Sequence, residues 1–452
     1  MKIIIAGAGK VGASLTKQLS SEGYDITLID FNSSVLEKLE ESFDVMTVQG
    51  NCATMDTLQQ AGVKDAKLLI ATADPDELNL LCCMTAHGMN PKLHTIARIR
   101  NPEYTNQIYR MRDVFALSLM VNPEKQTAIE IERQLRYPGF LKRDTFAKGR
   151  VEIVELKIGS DSILKNVVMN DFGKIVKAKT LVCGVLKDGK TIVPDGDYVL
   201  EEGDRIYVTA TPEQLELLLD NLEIQRKKVK NVMIIGGGRV SVYLAQLLHS
   251  QKINVKIIEK SYDRCRFLAE RLPYANIICG DASNEHLLHK ENIQNCDALI
   301  TMTGVDELNM IVSLYGIQCD NTQVITKLSH VDNSKLLERL NLGSIVSPRE
   351  LCCNLIIRYV RAMKNQSGAA VSVHSIADGM MEALEFRVDN TAMHLDEPIK
   401  NVKIKKNVLI ASISKSGHHV IPTGNATISE GNTVVVVKTG NVKIDQYNDI
   451  FC

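Results

Sequence analysis

The chain has 452 residues, 45% of them hydrophobic and 24% charged, with Lys+Arg 53 against Asp+Glu 54. These proportions exclude wholesale disorder, and the near-neutral balance excludes a general nucleic-acid binder, which would carry a basic balance or a basic face. No apolar run reaches the ~18–20 residues that span a bilayer. At about 100–200 residues per domain the length implies two to four domains, whose cores are aliphatic because Trp is absent and aromatics make up only 5%.

The opening run Met1-Lys2-Ile3-Ile4-Ile5-Ala6 is too short for a signal peptide and breaks at once into Gly7-Ala8-Gly9-Lys10-Val11-Gly12. Apolar, β-branched-rich runs at 2–6, 25–30, 45–48, 67–72 and 94–99 alternate with helical periodicity at 11–21, 35–41 and 77–87. That alternation predicts right-handed crossovers and a parallel, doubly wound sheet. Pro123 suits the first turn of a helix over 124–136, which ends at the breaker pair Pro138-Gly139. Strands at 151–158, 181–186 and 205–209, with turns at Lys187-Asp188-Gly189 and Pro194-Asp195-Gly196, predict a small α+β lobe. The basic stretch Gln225-Arg226-Lys227-Lys228-Val229-Lys230 reads as a solvated junction.

The plan then repeats, at a spacing of roughly 225–230 residues. Gly7-Ala8-Gly9-Lys10-Val11 returns as Gly236-Gly237-Gly238-Arg239-Val240, Asp30 as Glu259, and Gly50-Asn51 as Gly280-Asp281. Asp76-Glu77-Leu78-Asn79 returns as Asp306-Glu307-Leu308-Asn309, Pro123 as Pro348, and Pro194, Gly196 and Gly203 as Pro422, Gly424 and Gly431. The fold class is therefore α/β, with two doubly wound Rossmann-like parallel-sheet domains, each followed by a small α+β lobe. The boundaries expected from this tandem duplication are 1–123, 140–222, 230–348 and 369–452.

The chemistry resides in strand, G-x-G-x-x-G, helix. The first Gly permits the tight turn, the second lets phosphates approach the backbone, and the third lets helix and strand pack closely. Asp30 follows at the end of the second strand, where a carboxylate accepts from both ribose hydroxyls and repels a 2′-phosphate. In the second copy Gly236 and Gly238 keep the motif and Glu259 keeps the acid, but Ser241 takes the third Gly position. Ligands of open α/β sheets lie beyond the carboxyl ends of the strands, here Gly50-Asn51-Cys52, Thr72-Ala73-Asp74 and Arg98, with Lys327 at the place matching Arg98. Arg98 offers a bidentate phosphate contact and Lys327 a point charge.

No catalytic constellation accompanies the motif: Tyr-x-x-x-Lys, G-x-S-x-G and H-E-x-x-H are all missing. The eleven cysteines include the adjacent pairs Cys82-Cys83 and Cys352-Cys353 but no Cys-x-x-Cys, so they read as reduced, buried thiols and not metal ligands. His418-His419 lies in an expected exposed turn over 414–419.

The whole chain resembles the peripheral NAD-binding subunits of the bacterial Trk potassium uptake system, in which two regulator-of-potassium-conductance domains each pair a Rossmann lobe with a small C-terminal lobe. The resemblance rests on Gly7 to Gly12, Asp30, Gly50-Asn51-Cys52-Ala53 followed by Ala61-Gly62-Val63, Ala73-Asp74-Pro75-Asp76-Glu77-Leu78-Asn79, and the tandem arrangement. Asn51, where many relatives have Asp, and Ser241 depart from the pattern. The resemblance implies a non-enzymatic regulatory subunit, cytoplasmic and peripheral on the inner face of the membrane. It would assemble as a dimeric or tetrameric ring on a separate potassium-translocating protein, responding to NAD(H) and to ATP or ADP. By carry-over, nucleotide would contact Gly7, Ala8, Gly9, Lys10, Val11, Asp30, Asn51, Cys52, Ala73, Asp74 and Arg98 in the first copy. In the second it would contact Gly236, Gly237, Gly238, Arg239, Val240, Glu259, Asp281, Ala282, Thr303 and Lys327. Two alternatives stand beside this: an NAD-dependent dehydrogenase with an unrecognised catalytic lobe, and a nucleotide sensor without a membrane client.

Overall fold

The computed structural model describes all residues except 137–141, 147–150, 188, 223–228, 320–322, 330–339, 341, 364–369, 378–379, 416–417, 441 and 445. The breaker Pro138-Gly139, most of the basic junction, Asp188 of the 187–189 turn, and Ala369 at the expected start of the last lobe lie outside the described residues. Among the described residues no helix is long and apolar enough to cross a membrane. The chain forms two compact units, Met1–Arg136 with Lys228–Ile357, and Tyr137–Lys227 with Arg358–Cys452.

The first copy alternates strictly: β1 (Lys2–Ala6), α1 (Lys10–Ser21), β2 (Asp25–Asp30), α2 (Ser33–Ser42), β3 (Met46–Gln49), α3 (Met55–Gln60), β4 (Leu68–Ala71), α4 (Asp76–Met89), β5 (His94–Arg98), α5 (Pro102–Arg110), β6 (Leu119–Val121) and α6 (Pro123–Arg136). The strand order is β3-β2-β1-β4-β5-β6, with all described pairings parallel. Ile3, Ile4, Ile5, Leu69 and Ile70 are fully buried, as strands covered on both faces require. The sixth strand, three residues long, escapes sequence periodicity because it is shorter than any pattern window.

In the second unit, β7 (Lys142–Phe146), β8 (Val151–Lys157), α7 (Met169–Val176), β9 (Leu181–Lys187), β10 (Lys190–Ile192), β11 (Arg205–Ala210) and α8 (Pro212–Asn221) build a five-stranded antiparallel lobe of order β10-β9-β11-β8-β7. Helices α7 and α8 cover one face, with Phe172, Val176, Leu215 and Leu218 buried in its core.

The second copy repeats the first as β12 (Asn231–Ile235), α9 (Arg239–Ser250), β13 (Asn254–Glu259), α10 (Tyr262–Arg271), β14 (Asn276–Cys279), α11 (Glu285–Lys290), β15 (Ala298–Thr301), α12 (Asp306–Ile317), β16 (Gln323–Lys327), β17 (Ser344–Val346) and α13 (Pro348–Met363). Its sheet order, β14-β13-β12-β15-β16-β17, is that of the first. The last lobe, β18 (Ala370–Ile376), β19 (Met381–Arg387), β20 (Val408–Lys415), β21 (His418–Val420) and β22 (Thr433–Thr439), is again a five-stranded antiparallel sheet. His418 and His419 are strand residues of β21, paired with Lys415 and Ser414, so the four described residues of the expected 414–419 turn are strand-paired.

The copies are not independent beads. Helix α6 of the first copy packs on α9 of the second, placing Ala128, Ile131 and Leu135 in one core with Val240, Leu244 and Leu248. Where they meet, the Tyr243 hydroxyl is within 3.0 Å of both Thr105 Oγ1 and Asn122 Nδ2, all buried. Helix α13 reaches the other way, its Cys353 thiol donating to the Val11 carbonyl at 3.9 Å. In the second unit the two small lobes share a core in which Phe146, Ile153 and Tyr207 meet Met381, Ala383 and Val435.

Candidate functional site

At the first glycine loop, Gly7 has φ +101°, and a Cβ there would lie 2.7 Å from the Ala73 nitrogen. Only Gly tolerates both the conformation and the approach. Gly9 is the N-cap of α1, so the helix begins at the loop with its N–H groups free to meet an anion. A Cβ on Gly12 would fall 1.8 Å from the Gly7 carbonyl oxygen, the close strand–helix contact assigned to the third Gly. Asp30 Oδ2 accepts from Ala8 N at 2.6 Å and Oδ1 from Asn32 N at 2.9 Å. Each oxygen keeps a further lone pair for a ribose hydroxyl, and the carboxylate is already oriented. Asn51 caps its own turn, Oδ1 accepting from Ala53 N at 3.0 Å. Cys52 is buried, and its interaction with the Cys82 thiol holds the Cys52 thiol below its ordinary range.

The second loop has the same construction. Gly236 has φ +100°, Gly238 caps α9, and Glu259 Oε2 accepts from Gly237 N at 2.7 Å while Oε1 accepts from Ser261 N at 2.8 Å. Arg264 Nε adds a 2.6 Å bond to the Gly237 carbonyl. Asp281 takes an ion pair from Lys260 at 2.7 Å and hydrogen bonds from Ser283 N and Oγ at 2.9 and 2.8 Å. The Lys260 bond first, then those from Ser283, hold its carboxyl down at about 2. Lys327 Nζ donates to the Thr303 carbonyl at 2.6 Å, and burial lowers its ammonium pKa.

The recurring D-E-L-N segment has a positional role that sequence reasoning used only as a marker of the repeat. Asn79 Nδ2 joins the Ala73 and Arg98 carbonyls at 2.8 and 2.9 Å, and Asn309 Nδ2 joins those of Thr303 and Lys327 at 3.3 and 3.0 Å. Asp76 accepts from the Arg100 and Asn101 amides at 2.8 Å each, as Asp306 does from Ser329. The buried amide side chain thus ties the ends of the fourth and fifth strands together, where Arg98 and Lys327 stand.

A cavity of about 810 Å³ opens at the second loop, lined by Gly236, Gly237, Gly238, Arg239, Val240, Glu259, Asp281, Ala282, Thr303 and Lys327. Six residues of the first copy complete it: Lys10, Val11, Arg98, Arg100, Pro123 and Glu124. Gly7, Ala8, Gly9, Asp30, Asn51, Cys52, Ala73 and Asp74 do not line this cavity; they gather around the first loop. Arg98 stands between: its guanidinium donates to the Ala73 carbonyl at 3.1 Å and lies 3.7 Å from Asp74, yet faces the cavity of the other copy. Seven Lys and Arg side chains line the cavity against three carboxylates. Of those carboxylates, Glu259 and Asp281 are engaged as described, and burial raises the pKa of Glu124. Sequence reasoning passed over Arg100, Glu124, Lys260, Arg264 and Arg349. The signal for two of them was the repeat itself, since Pro123-Glu124 matches Pro348-Arg349 with the charge inverted.

The comparisons with known proteins follow the same division of the chain. The TrkA-N domain model matches residues 3–118 and again 232–348, and the TrkA-C domain model matches 153–223. The Trk system potassium uptake protein TrkA of Haemophilus influenzae is 29% identical over 457 residues, covering 100% of this chain and 98% of its own. The Trk system potassium uptake protein TrkA homolog 1 of Methanosarcina mazei is 30% identical over 443 residues, covering 96% and 97%. The solved GsuK channel bound to NAD has the same fold, with TM-score 0.61 at 17% identity over 97% of this chain and 77% of that one. A tandem Rossmann-type chain with antiparallel lobes is thus the class defined by fold and site. The chain belongs to the TrkA family of Trk system potassium uptake proteins.

Proposed function

We propose that the chain is a non-enzymatic, nucleotide-sensing regulatory subunit that gates a separate membrane potassium transporter. The observation that carries this reading is the twofold loop–acid geometry, Ala8 N on Asp30 at 2.6 Å and Gly237 N on Glu259 at 2.7 Å, within a family named for potassium uptake. The residues fit an adenine nucleotide: glycine conformations bring the backbone to the phosphates, an oriented carboxylate meets the ribose, and cations line the cavity where phosphates would lie. In this reading NAD(H) and ATP or ADP compete, because all carry the adenosine ribose. The first site is formed by Gly7 to Val11, Asp30, Asn51, Cys52, Ala73 and Asp74, and the second by the residues lining the cavity.

A nucleotide shifts the protein only by its difference in affinity for two conformations. The cavity supplies a basis for such a difference, because its cations come from both copies and their spacing changes when the copies move. Ring assembly on the cytoplasmic face of the transporter, and four lobes at 1–123, 140–222, 230–348 and 369–452, belong to the same reading. Calorimetric titration with ATP, ADP and NADH tests it. Asp30→Ala and Glu259→Ala should each remove one class of sites, and affinity should change on adding the purified transporter, because coupling is reciprocal. Equal affinity with and without transporter overturns the regulatory reading, and turnover of NADH with a metabolite overturns the non-enzymatic one.

A further inference from the structure

The acid of the second copy stands beside a pair of thiols. Cys279 ends β14 directly opposite Glu259 in the parallel register, and its side chain is exposed. Cys265, on the first turn of α10, is buried and donates to the Glu259 carbonyl at 3.3 Å, on the residue that Cys279 faces across the sheet, and the Cys279 thiol is near enough to raise the pKa of Cys265. The adjacent Arg264 donates to the Gly237 carbonyl at 2.6 Å, so this turn of α10 also supports the glycine loop. In the first copy the same register pairs Asp30 with Gln49, and the place of Cys265 is held by buried Leu36. The thiol pair therefore belongs to the second copy alone.

We infer that Cys265 and Cys279 are a redox modification site that closes to a disulfide by exchange with a small-molecule disulfide of the glutathione type and thereby weakens the second nucleotide site. The Cys279 thiolate attacks one sulfur of the reagent, forming a mixed disulfide and releasing one thiol. Cys265 gives up its proton and attacks the Cys279 sulfur, releasing the second thiol. Two protein thiols are oxidised by two electrons, and one reagent disulfide is reduced to two thiols. Access decides the order, since Cys279 is exposed and Cys265 is buried. Burial first, then the Cys279 thiol, pushes the Cys265 thiol up to about 11, which suits the resolving and not the attacking partner.

Closing brings the two sulfurs to about 2.05 Å. The Cys265 proton no longer bonds the Glu259 carbonyl, and the turn carrying Arg264 is drawn toward β14, loosening the Gly237 loop. The loss of affinity rests on the nucleotide reading above; the disulfide does not.

The test uses the full chain, reduced and then incubated with oxidised glutathione, with non-reducing peptide mapping by mass spectrometry. The wild type should join the Cys265 and Cys279 peptides without a lasting adduct. Cys265→Ser should keep glutathione on Cys279, and Cys279→Ser should leave Cys265 unmodified. A wild type that retains glutathione on Cys279, or leaves both thiols free, overturns the site. In an Asp30→Ala chain, which leaves the second site to be read alone, oxidation should weaken ATP binding roughly fivefold, with no change when Cys279→Ser is added. A disulfide that forms with affinity unchanged overturns the coupling. Absence of ATP binding in the reduced chain is instead a failure of the functional reading, and peptide mapping distinguishes the two.

Discussion

Ser241 donates its hydroxyl to the Gly236 carbonyl at 2.5 Å, while in the first copy the equivalent carbonyl, that of Gly7, receives Thr72 Oγ1 at 3.1 Å. Where the first copy has Gly12 and Thr72, the second has Ser241 and Met302. The departure from G-x-G-x-x-G is therefore compensated: the donor moves from strand end to helix and the loop carbonyl stays bonded. Gly12→Ser alone should cost about 1–3 kcal/mol, because its Cβ would meet the Gly7 oxygen at 1.8 Å. Combined with Thr72→Met it should cost less than the sum of the two single changes by at least ~0.5 kcal/mol, read from urea unfolding midpoints. Strict additivity would show that the two positions do not share one carbonyl.

The Tyr243 hydroxyl bridges Thr105 and Asn122, 138 and 121 residues away in the chain. Tyr243→Phe keeps the packing and removes the bridge. Asn122 and Thr105 keep their mutual 3.0 Å bond, so the loss should be about 1–2 kcal/mol. Denaturant unfolding measures it, and an unchanged midpoint would show that the bridge adds nothing.

Arg98→Ala should weaken ATP at the second site about tenfold, equivalent to ~1.4 kcal/mol, and adenosine far less. The fold should survive, because the Ala73 carbonyl retains its bond from Asn79 at 2.8 Å. Titrations in an Asp30→Ala background isolate the second site. Equal losses for both ligands would remove Arg98 from phosphate recognition.

Asp281 is held at about 2 in the folded chain, below its ordinary 3.8. A depressed carboxyl stabilises the fold above its unfolded value and loses that contribution as pH falls, here between about pH 4 and pH 2. Asp281→Asn should flatten the dependence of Tm on pH in that window. The effect is small, because solvent screens the Lys260 pair. Asn51 holds the matching place in the first copy, so no such step arises there.

Much of each Rossmann copy was legible from particular residues. Ile3-Ile4-Ile5 running into Gly7 reads as a buried strand entering a tight turn, and Asp30 at the next strand end as the acid that faces that turn. The observed strands and helices start and stop within one or two residues of those expected at β1, α1 and β2. Strands such as Leu119–Val121 and Lys190–Ile192 were not legible, because three residues carry no periodicity of their own and pair only when a neighbouring strand presents an edge. The exposed Cys279 was likewise hidden among thiols read as buried, since exposure at the last residue of an edge strand depends on what packs over it.

The sequence by itself determined the duplication, the two glycine loops and the acid that each loop clasps. These are short-range matters of backbone conformation and strand length, settled within about thirty residues of chain. Only the tertiary structure decided that Arg98, Arg100 and Glu124 complete the cavity of the other copy, and that Tyr243 closes on Asn122. Those meetings follow from α6 burying Ala128, Ile131 and Leu135 against α9. Apolar burial is non-directional: a hydrophobic stripe shows that a helix must be covered, but what covers it is settled only when the whole chain packs.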